Sequence, residues 1–173
     1  MSHTIVLNEE KPLWMRDIAI VLGASVLIAL FAPVSIRLPF SVVPIATQGH
    51  VCLFLGALLG KKRGALAVLA FLLQGALGLP VFANGSAGLL GPTGGYLLGY
   101  VLGAYVTGLL VERMKLAQAL LLGNAAIYLL GLPWLATFIG FKSAIVFGFA
   151  PFILGDLLKL IGVGKALSYF RKA

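Results

Sequence analysis

Asp156 stands in Phe149-Ala-Pro-Phe-Ile-Leu-Gly-Asp-Leu-Leu-Lys-Leu-Ile161, an apolar stretch otherwise suited to span a bilayer, and Lys159 follows three residues later. Ionised side chains in such a segment cost free energy and are kept for a substrate, for an ion or for each other. Residues three apart share one helix face, so both groups point into one cavity or into one another. Two readings follow: a site that receives a ligand, or an ion pair locking two helices together. Other chemistry finds no support. Gly56-Ala-Leu-Leu-Gly-Lys61 is one residue short of a nucleotide loop and no Ser or Thr follows the lysine. His3 lies in a polar tail and His50 heads an apolar run, where a polar anchor is the expected role. No His-x-x-x-His, cysteine pair or carboxylate cluster is placed to hold a metal, and Cys52, being alone, excludes an internal disulfide. With neither nucleophile nor metal set, the chain is not expected to be an enzyme, and no cofactor is expected.

The elements that must position Asp156 are membrane spans. Of the 173 residues, 61% are hydrophobic and 10% charged, and the apolar runs are too long and too many for a soluble domain of this size to hide. The reading is an all-α membrane protein forming one transmembrane domain over residues 1–173. Six spans are predicted: Met15 to Pro33, Pro44 to Gly60, Gly64 to Leu79, Gly94 to Val111, Ala117 to Ile139, and Pro151 to about Leu167. Glu9, Glu10 and Asp17 precede or open the first run and no small-residue cleavage signature follows it, so it reads as a permanent span.

Charge placement orients them. Lys11, Arg16, Lys61, Lys62, Arg63, Arg113, Lys115, Lys165, Arg171 and Lys172 fall on one side, and only Arg37 and Lys142 on the other. By the positive-inside rule both termini are cytoplasmic. The same scatter over short segments beside spans argues against nucleic acid as the partner. The unusual polar residues then gather outside, in the loop Ser35 to Gln48 and the loop Gly78 to Tyr96. Their proline and glycine content forbids continuous helix and suits a cavity lid. Pro151 in the first turn of the sixth span would set Asp156 about 7 to 8 Å below the outer end at ~1.5 Å per residue.

Small residues suggest how the spans pack. Gly95, Gly99 and Gly103, with Gly108 a turn on, form a smooth stripe for a neighbouring helix. Ser25 with Ala29, and Ala19 with Gly23, repeat that spacing on the first span, a pattern common in membrane helices.

The chain resembles the BioY family of biotin-specific substrate-capture (S) components of energy-coupling factor transporters. The stretches that carry the resemblance are Leu38-Pro-Phe-Ser-Val-Val-Pro44 with Gln48, Gly64-Ala-Leu-Ala-Val68, Gly78-Leu-Pro-Val-Phe-Ala83, Gly91-Pro-Thr-Gly-Gly-Tyr-Leu-Leu-Gly99, and Pro151-Phe152 with Gly155-Asp-Leu-Leu-Lys159. The resemblance implies a six-helix S-component fold in the bacterial plasma (inner) membrane. It also implies capture of biotin from outside, and delivery through a transmembrane coupling subunit that is driven by two ATPase subunits and would dock on the small face of the first span at Ser25 and Ala29. Another vitamin on the same scaffold is the alternative.

The residues suit biotin chemically. Its ureido ring offers N–H donors and a carbonyl acceptor, its thioether side is apolar, and its tail ends in a carboxylate. Asp156 can accept the ureido N–H groups, while Asn84, Gln48 or Tyr96 can serve the carbonyl or the carboxylate. Lys159 can hold Asp156 ionised or meet the ligand carboxylate, and Arg37 can steer the acid from the first loop. These roles stay open at the level of sequence.

Overall fold

Each apolar run of the sequence becomes a helix, and glycine or proline marks most of the breaks. The computed structural model describes residues 15–31, 35–36, 45–82 and 88–170. The helices are α1 (Met15–Leu30), α2 (Gln48–Ala76), α3 (Gly94–Leu110), α4 (Leu116–Ile139), α5 (Phe141–Gly148) and α6 (Ile153–Phe170). Between α1 and α2 two short strands, β1 (Ser35–Ile36) and β2 (Ile45–Ala46), pair antiparallel, with Ser35 opposite Ala46.

The second and third predicted spans are the two arms of α2, parted at Gly60. Its φ of 82° and ψ of 169° lie outside helical space, in a region that glycine enters without the steric cost of a Cβ. Gln48, which opens the first arm, donates to the carbonyl of Val81 just past the second, so the arms run antiparallel. Lys61, Lys62 and Arg63 continue as helix from the turn.

The helices α1, α3, α4 and α6 pack around this hairpin. Asp17 in the first turn of α1 meets Arg63 beside the turn, Nη2 to Oδ1 2.9 Å, with both side chains largely buried. At its other end α1 offers the Ile28 carbonyl to Gln48. On α3 the predicted glycine stripe is a packing surface: a Cβ added at Gly99 would stand 2.7 Å from the Ile127 carbonyl oxygen of α4. Bare backbone at this crossing lets the two helices approach closely, which is how helices gain packing in a lipid solvent. Two clusters form the core. One joins Leu53, Leu120, Ile127, Leu135 and Phe152, and the other joins Ile28, Val68, Phe71 and Phe82.

The outside is apolar. Leu22 of α1, Leu73 of α2, Leu129 of α4 and Ile161 of α6 are each at least half exposed, a surface that fits lipid and not water. Among the described helices, the 24 residues of α4 are long and apolar enough to cross a membrane unaided, reaching about 36 Å at ~1.5 Å per residue. The shorter helices are accommodated by tilt or local thinning.

The sixth span departs from expectation. It is preceded by α5, which follows Gly140 (φ 82°) and packs back along α4. Gly148, at its end, lies against Leu132 and Leu135. A bend over residues 149–152 then leads into α6, so Pro151 sits just ahead of the helix instead of in its first turn. Asp156 is therefore level with Asn124 and Tyr128 of α4. From Tyr128 to the Ile139 end of α4 is about 16 Å at ~1.5 Å per residue, deeper than the 7 to 8 Å expected from the sequence.

Candidate functional site

Three helices converge on the Asp156 carboxylate. From α4, Tyr128 donates its hydroxyl to Oδ2 at 2.5 Å and Asn124 donates its amide Nδ2 to the same oxygen at 3.3 Å. Four residues apart, Asn124 and Tyr128 share one face of α4. From the first turn of α2, His50 brings Nε2 to 3.5 Å from Oδ1. Oδ2 is thus held by two donors, and Oδ1 is the freer acceptor.

The carboxylate lines a cavity with about 660 Å³ of empty space, open mouth included. Phe82, Leu97, Tyr100, Ile127 and Phe152 supply much of the apolar wall. The ring edge contacts Tyr96 to Tyr128 (centroids 6.0 Å) and Tyr128 to Phe149 (4.9 Å) keep that wall stiff. A buried anion in an aromatic pocket suits a ligand with N–H donors on one edge and an apolar body. Among the described residues, no group of three or more His, Cys, Asp or Glu is placed to hold a metal.

The expected site residues divide into three groups. Asp156, Gln48 and Tyr96 do line the cavity. Gln48, however, spends its amide nitrogen on Val81 (2.8 Å) and Ile28 (3.3 Å) carbonyls, and Tyr96 donates its hydroxyl to the Gly148 carbonyl at 2.9 Å. Lys159 is half-buried and donates Nζ to the Ala46 carbonyl at 3.2 Å, tying α6 to β2. Ala46 is itself part of the cavity lining. The locking partners of Asp156 are thus Tyr128 and Asn124, and Lys159 fastens the ribbon instead. Asn84 and Arg37 lie outside the described residues.

The expected partner face needs correction. Ser25 is fully buried: its hydroxyl donates to the Leu22 carbonyl at 2.7 Å and accepts from Gln74 Nε2 at 2.7 Å. It packs α1 onto the second arm of α2, and Ala29 beside it is half-buried. The other small pair, Ala19 and Gly23, is the one exposed, with no atom within 4 Å of a Cβ placed at Gly23.

Sequence reasoning missed Asn124 and Tyr128 and read His50 as a satisfied anchor. The argument that singled out Asp156 applied to the first two as well, since they are polar exceptions at helical spacing in an apolar span. His50 carried no such signal, because a residue at a helix head is ordinarily reached by water or by a cap.

An apolar-surfaced helix bundle hollowed around the buried Asp156 fits the class of membrane solute-binding proteins. The family model described as the BioY family matches residues 2–173, and the chain belongs to that family. The biotin transporter BioY of Thermotoga maritima is 43% identical over 134 residues, which is 73% of this chain and 79% of that protein. The biotin transporter BioY of Rhizobium etli is 39% identical over 165 residues, covering 84% and 88%. A crystal structure of the S-component for biotin from an ECF-type ABC transporter matches 91% of this chain and 92% of that one, with a TM-score of 0.79 and 27% identity. The fold is the S-component fold, and the family is one of membrane transporter components, not enzymes.

Proposed function

We propose that this chain is a biotin-capturing S component: a single transmembrane domain in the bacterial plasma membrane, with both termini in the cytoplasm. On this reading it binds biotin from the outer side and hands it on through a transmembrane coupling subunit powered by two ATPase subunits. The observation that carries the binding reading is Asp156 itself. Its Oδ2 is held by Tyr128 and Asn124, which leaves Oδ1 as the freer acceptor of a residue that lines an aromatic cavity. A ureido N–H is a fitting donor to Oδ1, and the fused sulfur ring of biotin fits the apolar wall.

Lys159 then balances the charge of Asp156 one turn away while holding the ribbon at the cavity, and Gln48 and Tyr96 shape the wall. On the same reading Asn84 serves the ureido carbonyl or the carboxylate tail, and Arg37 steers the acid. The coupling subunit would dock on the exposed face of α1 at Ala19 and Gly23, where close helix approach costs little. Calorimetric titration of the purified protein with biotin and with other vitamins tests the reading. Saturable binding of biotin alone supports it, and preference for a different vitamin replaces it.

A further inference from the structure

Among the described residues of the cavity wall, His50 is a polar side chain whose role the fold leaves unexplained. It is 5% exposed, and both ring nitrogens are shut off from solvent with no hydrogen-bond partner. A buried donor or acceptor left unpaired is costly, and native structures keep few of them. The ring is well held: its backbone N–H bonds the Thr47 carbonyl at 3.0 Å, and two residues before it Gln48 is pinned to α1 and to Val81. His50 also lies outside the stretches that carry the family resemblance.

The contact with Asp156 says what the ring is poised to do. At 3.5 Å, Nε2 and Oδ1 are neighbours, but N–H···O hydrogen bonds close to about 2.7 to 3.2 Å, so neither atom is committed to the other. A carboxylate oxygen only accepts, so the nitrogen facing it is the one that carries hydrogen. A donor, sealed from water, and an acceptor therefore stand side by side at the cavity.

We propose that His50 Nε2–H and Asp156 Oδ1 together read one edge of a cyclic urea, with Asp156 accepting the ring N–H and His50 donating to the adjacent carbonyl. In a urea those two groups are covalent neighbours, nitrogen and oxygen about 2.2 Å apart by standard amide dimensions, and their hydrogen bonds diverge outward to partners spaced more widely. Two other donors on the wall are already spent, since the Gln48 amide nitrogen and the Tyr96 hydroxyl bond backbone carbonyls. His50 thereby becomes the residue that selects a ligand by its carbonyl. This deepens the reading of the chain as a biotin-binding protein and rests on it.

The test uses three ligands on the purified full chain: biotin; desthiobiotin, which keeps the urea but lacks the sulfur ring; and 2-iminobiotin, whose protonated guanidine offers donors where the carbonyl would accept. The wild type should bind the two ureas well and iminobiotin poorly. His50→Leu should weaken both ureas by about 10- to 100-fold, the scale of a lost buried hydrogen bond with an orphaned partner. It should leave iminobiotin nearly unchanged, so that the biotin to iminobiotin ratio falls by a similar factor. His50→Gln, which keeps an N–H donor, should recover most of the urea affinity. If His50→Leu does not accumulate, His50→Met, unbranched and without a donor, gives the same comparison. Equal loss for all three ligands, or no loss for any, overturns the assignment of His50. A wild type that binds neither urea instead overturns the reading of the chain as a biotin binder, so the two failures are distinct.

Discussion

Replacing Asp156 by asparagine changes one atom and reverses the polarity of the site. At the Oδ2 position the Tyr128 hydroxyl and the Asn124 amide both donate, at 2.5 and 3.3 Å. The new amide must therefore turn its oxygen towards them. Its NH2 is then left where Oδ1 was, facing His50 and the cavity. A ligand N–H that met an anionic acceptor now meets a donor. Losing one partner of a buried, charged hydrogen bond costs about 2 to 5 kcal/mol, or roughly 30-fold to a few thousand-fold in Kd at about 1.4 kcal/mol per decade. The fold should survive, because the two bonds from α4 are kept and a buried charge is removed. The assay is calorimetric titration of Asp156→Asn with biotin, beside its elution profile and thermal midpoint. A well-folded variant that binds biotin as the wild type does would refute the argument that Oδ1 is the ligand acceptor.

Other consequences follow from the packing and the charge pattern. Asp17→Asn breaks the largely buried pair with Arg63 and leaves a cation stranded, a loss on the order of 3 to 5 kcal/mol; thermal unfolding should drop by several degrees while biotin affinity stays within twofold, because neither residue lines the cavity. Gly99→Val drives a side chain into the Ile127 carbonyl, 2.7 Å from the added Cβ, and should part α3 from α4, seen as loss of monodisperse protein; Gly23→Val, where nothing stands within 4 Å, should leave that profile intact. A membrane-impermeant thiol reagent applied to intact cells should label a cysteine placed at Lys142 and miss one at Lys115, both exposed; the reverse pattern would contradict cytoplasmic termini.

Local chemistry determined the parts of this protein that a sequence can announce. The number of spans follows from runs of apolar residues against the thickness of a bilayer, and Asp156 stands out because a charge in such a run is expensive wherever its partners lie. Close packing of α3 was legible for the same reason: glycines at four-residue spacing leave bare backbone on one face whatever helix covers it. Tertiary structure alone decided what each polar group meets. Asp156 is bonded by residues 28 and 32 positions away, and no periodicity within one helix encodes which face of α4 turns towards α6. Ser25 and Gly23 stand two residues apart on the same helix, yet one is buried against Gln74 and the other is exposed. Spacing marks both as small, and only the rotation of α1 against α2 separates them. The helix α5 was hidden because its eight residues are too few to read as a span, although they carry Asp156 deeper. His50 is the clearest case: an imidazole at a helix head is ordinary in sequence, and it acquires a purpose only when folding seals both nitrogens from water beside a carboxylate with one oxygen to spare.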